Sequence, residues 1–284
     1  MLALHKTSTR FFPMALCICN KYRQKNLAAI TLLLLLLSNN LSASSYGYPA
    51  SYTPADLLSH LLKGEYNANQ QSVKWPATPG DIHEFNAQLA ENSVLYSFVD
   101  TTMAIQRENQ KVYYAIFRTA AMITNEEGKF ANANNCHVCG VNLGYVSYRI
   151  ENDSIYVDKF RRNFATHGAF GSNSYSLSLI NLGEGYELLR IDDPYDGMGI
   201  HSVATSFYQD GVLMLSMISK ENNGGYREKK QKGYYEFNTS FVYDNNTQTI
   251  TIRQTGYRMN EKSGKKIPIN KTKTLIYDNY TLQF

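Results

Sequence analysis

From about Ser93 onward, apolar and polar side chains trade places every second residue. Tyr235, Phe237, Phe241 and Tyr243 are interleaved with Glu236, Asn238, Ser240 and Val242, and Tyr175, Leu177 and Leu179 with Ser174, Ser176 and Ser178. A period of two places one face of a strand in a core and the other in water, which is the habit of antiparallel sheets. Turn residues interrupt these runs at "ENDS" (151–154), "GEG" (183–185), "QDG" (209–211), "DNN" (244–246) and "DN" (278–279). Asn, Asp and Gly tolerate the left-handed conformations that tight hairpins require. The pattern predicts a mainly β fold, an antiparallel meander of about eight to eleven strands rolled into a sandwich or barrel-like sheet.

Before Ser93 the period lengthens. Thr53 is placed to cap a helix and Pro54 to open it. Leu57, Leu58, Leu61 and Leu62 then form one apolar face, with Gly64 at the end of the turn. A second helix is predicted over Asp81–Glu91, with Ile82, Phe85 and Leu89 on one stripe. The intervening "NANQQSVKWPATPG" reads as a polar loop carrying the only tryptophan, Trp75. Two short helices ahead of a run of strands give an α+β start to a β domain. The expected organisation is 44–92 as a helical region packed on a sheet formed by 93–284.

Residues 1–43 stand apart. Lys6, Arg10, Lys21, Arg23 and Lys25 precede the apolar run "LAAITLLLLLL" (27–37), and no acid occurs among them. A basic start, a short apolar core and small residues at the exit describe a secretory signal peptide, with cleavage expected near Ala43. The run is shorter than the roughly 20 residues that span a bilayer, so no stable membrane insertion is expected after cleavage. The whole chain carries 28 Lys and Arg against 24 Asp and Glu. Without the leader's five bases it is close to neutral, which argues against a nucleic-acid partner. A periplasmic or secreted location follows.

Export changes the reading of the cysteines. Cys17 and Cys19 lie in the leader, so Cys136 and Cys139 alone remain, in "NCHVCGVN" (135–142). In an oxidising compartment such a pair is most simply a disulfide pinning a loop rich in Asn and Ala. Two other chemistries stay open. A thiol–disulfide exchanger would place the first cysteine at a helix N-terminus, where the dipole lowers its pKa. A metal site would need further ligands, for which His137, His167 and His201 are candidates, although their spacing matches no ligand pattern. Gly140 in place of a histidine after Cys139 removes covalent haem attachment.

"CHVCG", the alternating strand after it, the loop "HGAFGSNS" (167–174) and "LINLGEGYELLRID" together resemble a loose group of uncharacterised exported bacterial β-rich proteins with a C-H-x-C-[GA] motif. The resemblance covers roughly residues 110–215. It implies an exported β domain and supplies no catalytic residue.

One further cluster draws notice. "DDPYDG" (192–197) reads as a polar turn and fails the EF-hand spacing, since Pro194 and Val203 stand where ligands belong. Asp192, Asp193 and Asp196, with His201 close by, are nevertheless the expected rim of any ligand or metal site. No nucleophile elbow, zinc-protease helix or phosphate loop occurs, and no cofactor is implied. The basic stretch "REKKQK" (227–232) reads as a solvated hairpin tip. The sequence therefore points to an exported, non-enzymatic binding protein with a protein or envelope-polymer partner. A thiol-redox or metal-binding protein using Cys136 and Cys139 is the alternative.

Overall fold

The computed structural model describes residues 47–85, 94–107, 109–124, 129–134, 136, 139–183, 185–277 and 282–283. The fold is mainly β, with sheets curled into a half-barrel and two short helices near the N-terminal side. Strands β1 (Tyr48–Pro49), β2 (Glu65–Asn67) and β3 (Ser72–Pro76) accompany helices α1 (Pro54–Leu62) and α2 (Pro79–Glu84). The long strands β4 (Val94–Arg107), β5 (Gln110–Ala120), β8 (Val141–Glu151) and β9 (Ser154–His167) follow. A small ladder of β6 (Met122–Thr124) and β7 (Phe130–Asn132) interrupts them. These long strands centre a seven-stranded sheet in the order β1-β9-β8-β5-β4-β3-β2.

The second sheet is a meander. Strands β10 (Ser176–Asn181), β11 (Glu187–Gly197), β12 (Ile200–Gln209), β13 (Val212–Asn222), β14 (Tyr235–Asp244), β15 (Thr249–Met259), β16 (Lys266–Tyr277) and β17 (Leu282–Gln283) lie side by side in chain order. Four of the expected turns join consecutive strands as predicted; residues 278–279 fall outside the described residues.

Both helices begin with the same four-residue signature, "TPAD" and "TPGD". The Thr53 hydroxyl accepts from the Asp56 N–H while the Asp56 carboxylate accepts from the Thr53 N–H, and Thr78 and Asp81 repeat the arrangement. Such reciprocal capping satisfies donors that a helix start leaves open. The left-handed residue ending α1 is Lys63, with φ of 53°, rather than the glycine that follows. Gly64 has a different task. A Cβ there would meet the Lys74 carbonyl oxygen at 2.5 Å and the Trp75 Cβ at 2.8 Å, so β3 packs against bare backbone. Helix α2 ends at Glu84, inside the span expected for it; Leu89 lies outside the described residues.

Trp75 is not in a loop. It sits in β3, buried, with its Nε1–H donating to the Ser97 hydroxyl at 2.9 Å and Phe85 edge-on at 5.8 Å. Its cluster gathers Leu58, Leu62, Val73, Phe85, Leu95 and Phe117. Leu57 packs beside it on Ala115, Val146, Tyr148 and Ile155. The opposite face of the first sheet meets the second sheet through Ile116, Val141, Leu143 and Tyr145 against Leu189, Ile191 and Tyr208. Strands β5 and β8 are thus covered on both faces, which explains why Tyr113–Phe117 and Leu143–Tyr148 read as apolar runs rather than alternations.

The second sheet also closes a core of its own. Leu182, Leu188, Phe207 and Leu215, from its first half, pack on Ile250, Ile252, Leu275 and Tyr277 from its last strands. This curl is possible because β13 and β14 pair only at Lys220–Asn222 and then diverge.

Candidate functional site

Cys136 and Cys139 form a disulfide. The Cys139 N–H donates to the Cys136 carbonyl at 2.9 Å, so the bridge closes a tight turn between β7 and β8, with no helix at either cysteine. Phe170 and Gly171 donate their N–H groups to the carbonyls of Cys136 and Cys139, at 3.2 and 2.7 Å. The bridge is thereby a fixed post on which the 168–173 loop hangs. His137 lies outside the described residues.

The acids of 192–197 do not form a turn. They continue β11, paired with β12 through Asp192–Thr205, Asp193–Ala204 and Asp196–His201. Pro194 is tolerated because β10 ends opposite Asp192, leaving one side of β11 without a neighbour. Strand alternation then separates the carboxylates: Asp192 and Asp196 point to one face and Asp193 to the other. Asp192 accepts from the Thr205 hydroxyl at 2.5 Å and from Arg190 at 3.1 Å. Asp196 takes His201 at 2.5 Å on an exposed surface. Asp193 takes the buried His167 Nδ1 at 3.2 Å and the Gly168 N–H at 3.0 Å, and His167 Nε2 meets the Tyr208 hydroxyl at 2.9 Å. Burial alone would raise the Asp193 carboxyl, but the bonds from His167 and Gly168 outweigh it and hold the group below its ordinary value. Among the described residues no three metal-ligating side chains converge. The expected rim is therefore two separate His–Asp pairs. One of them ties β9, β11 and β12 together.

The inner face of the far half of the second sheet is built differently. The registers of β14, β15 and β16 give five rows across the ladder. Tyr243–Ile250–Leu275 belongs to the core, and Phe241–Ile252–Lys273 marks its edge. Thr239–Gln254–Lys271 is polar. Phe237–Gly256–Ile269 and Tyr235–Arg258–Ile267 are aromatic, aliphatic and cationic, beyond the reach of the core. A cleft of about 580 Å³ lies over the last two rows, with Arg258, Lys262 and Glu261 at its lip. Burial pushes the Tyr235 phenol up to about 12, with a hydrogen bond to the Glu221 carboxylate adding to it. The Tyr235 hydroxyl is engaged by that carboxylate, while the ring lines the cleft.

The cleft offers two half-buried aromatic rings, two branched aliphatic side chains and cations on one surface. Its volume falls within the range of ordinary ligand clefts, roughly 300–1,000 Å³. Aromatic faces with neighbouring cations suit a ligand with flat apolar faces and negative charge. Sequence reading took Tyr235 and Phe237 for core because their alternation continues that of Phe241 and Tyr243. A signal for the site was nevertheless present: residues 249–277 hold seven Lys and Arg and a single acid, Glu261.

Comparisons with protein-family models, with curated proteins and with solved structures yield no match to this chain.

Proposed function

We propose that this chain is an exported, non-enzymatic binding protein of the cell envelope that grips an anionic envelope polymer along β14–β16. The supporting observation is the row order of that ladder. One continuous face passes from sealed core to Lys271 and Lys273, and then to an open cleft bearing Tyr235, Phe237 and Arg258. A polymer lying across it stacks on the rings and sets its acids against the cations. The histidines support binding over catalysis. Each described site histidine holds one carboxylate, and His167 is enclosed in a contact that joins strands.

The reading is tested by titrating the chain with the polyanions polygalacturonate and heparin, with neutral dextran as control. Binding to a polyanion should weaken about tenfold in Arg258→Gln and again in Lys271→Gln, in keeping with a lost charge-assisted contact. Added salt should weaken it further. Phe237→Ala should lose affinity at all salt concentrations. Equal binding of dextran, or no change in the three variants, would remove the cleft from consideration.

A further inference from the structure

The second sheet is electrically lopsided. Because consecutive strands are antiparallel, the 197–199 turn, the 223–234 connection and the 260–265 turn all lie at one end. With their flanking residues (196–201, 223–234 and 258–266) these segments carry eight Lys and Arg against three acids, Asp196, Glu228 and Glu261. The turns at the other end, 182–186, 209–211 and 244–248, carry Asp210 and Asp244 and no base among the described residues.

The basic end is one surface rather than three loose tips. Gly225 donates its N–H to the Gly199 carbonyl at 3.0 Å, and Gly233 to that of Met259 at 3.1 Å. The ring of Tyr226 lies over Gly199, where a Cβ would meet its Cδ1 at 2.3 Å; with φ of +74°, that position suits glycine alone. Glu236 draws Lys229 to 3.6 Å. No ion pair forms at Lys230, Lys232, Lys262 or Lys265 among the described residues.

Met198 stands at the crest. Its side chain is 92% exposed and Tyr226 beside it 52%. Its backbone is left-handed, with φ of 49°. A two-residue hairpin turn with both positions left-handed strongly favours Asn-Gly, and unbranched side chains carry a conformational cost there. The turn thus keeps an apolar side chain in water where a polar one would be more stable. An apolar crest on an end rich in lysine is what an amphipathic surface presents to a charged bilayer.

We infer that this end of the sheet docks peripherally on an anionic lipid surface, with Met198 and Tyr226 dipping among the headgroups and the lysines against them. The inference goes beyond polymer binding and rests on the hairpin tips rather than on the aromatic rows. Among the described residues no helix is long and apolar enough to cross a membrane, and the contact we infer is with the bilayer surface. It would leave the cleft opening beside the membrane.

Residues Gly47–Phe284 form a compact unit by themselves. The chain from Ser44 can therefore be tested without the apolar leader. It is sedimented with vesicles of phosphatidylcholine alone and of phosphatidylcholine mixed with phosphatidylglycerol. Binding is expected to the mixed vesicles and to fall with salt. Each of Lys230→Gln and Lys232→Gln should lower partitioning about fivefold. Met198→Asn should lower it with no change of charge while raising thermal stability, so the loss cannot come from unfolding. Equal binding to both vesicles, or none, would overturn the inference. So would a lysine effect without a Met198 effect, which would mark a surface for soluble polyanions. Phe237→Ala, which removes no charge from the basic end, should weaken polymer binding and leave Met198-dependent sedimentation in place, so the two readings fail separately.

Discussion

At the scale of single residues, His167 shows how a suggestive side chain acquires a structural task. Its two ring nitrogens are both engaged, one by Asp193 and the other by Tyr208. Replacing it with leucine leaves the partly buried Asp193 carboxylate with the Gly168 N–H but without that partner. We expect His167→Leu to cost about 1–3 kcal/mol, measured by urea unfolding, because it removes a hydrogen bond to a charged group and one to the buried Tyr208 hydroxyl. The Asp193 carboxyl is held below its unfolded value. Its contribution to stability is therefore complete above an unfolded pKa of about 4 and disappears as pH falls through the lower folded value. Asp193→Asn should be less stable than the parent at neutral pH, and the difference should shrink on acidification below about pH 4. The disulfide works at the same scale. Its ring is so short that removing it as Cys136→Ser with Cys139→Ser should cost about 2 kcal/mol or less in the chain-entropy picture. The 168–173 loop, held by the two carbonyls of that turn, should show the largest rise in amide exchange.

At the scale of elements, the two capped helices make the clearest case of local code. Thr53→Ala and Thr78→Ala each remove one side of a reciprocal cap and should each lower stability by about 1 kcal/mol. A double variant should be near additive, because the caps belong to separate helices without a shared partner. The first cap was legible in "TPAD" beside the leucine face. The second was written in the same letters, "TPGD", but the stripe of Ile82, Phe85 and Leu89 starts the expected helix at Asp81 rather than at Pro79, where the cap sets it. Strand β3 was illegible for a related reason. Its five residues are flanked by polar ones, and only the Leu95, Phe85 and Ser97 side chains that surround Trp75 reveal it as core. "DDPYDG" misled in the opposite sense. Its composition is that of a turn, yet nine consecutive pairs with β12, from Leu189 to Gly197, hold it as strand.

At the scale of the whole molecule, the central strands of the first sheet, β5 and β8, are covered on both faces, and the second sheet is sealed only over half its length. Ile191, in the core between the sheets, is fully buried; Ile191→Ala should cost about 2–5 kcal/mol in denaturant unfolding. Lys271→Gln and Lys273→Gln, on the open face, should change stability by less than about 0.5 kcal/mol, so any loss of binding in them reports on recognition.

The chain by itself determined the kind of fold, because a period of two and Asn-, Asp- and Gly-rich turns act over a few residues and need no distant partner. The leucine face of α1 and the nearness of Cys136 to Cys139 were equally local. Tertiary structure alone decided which alternating faces stay wet. Tyr235 and Phe237 differ from Phe241 and Tyr243 only in what lies across from them, and that is set by the divergence of β14 from β13 and the curl that brings Leu275 over Phe207. Which histidine meets which carboxylate was decided in the same way, since pairing between strands joins residues that sequence distance keeps apart.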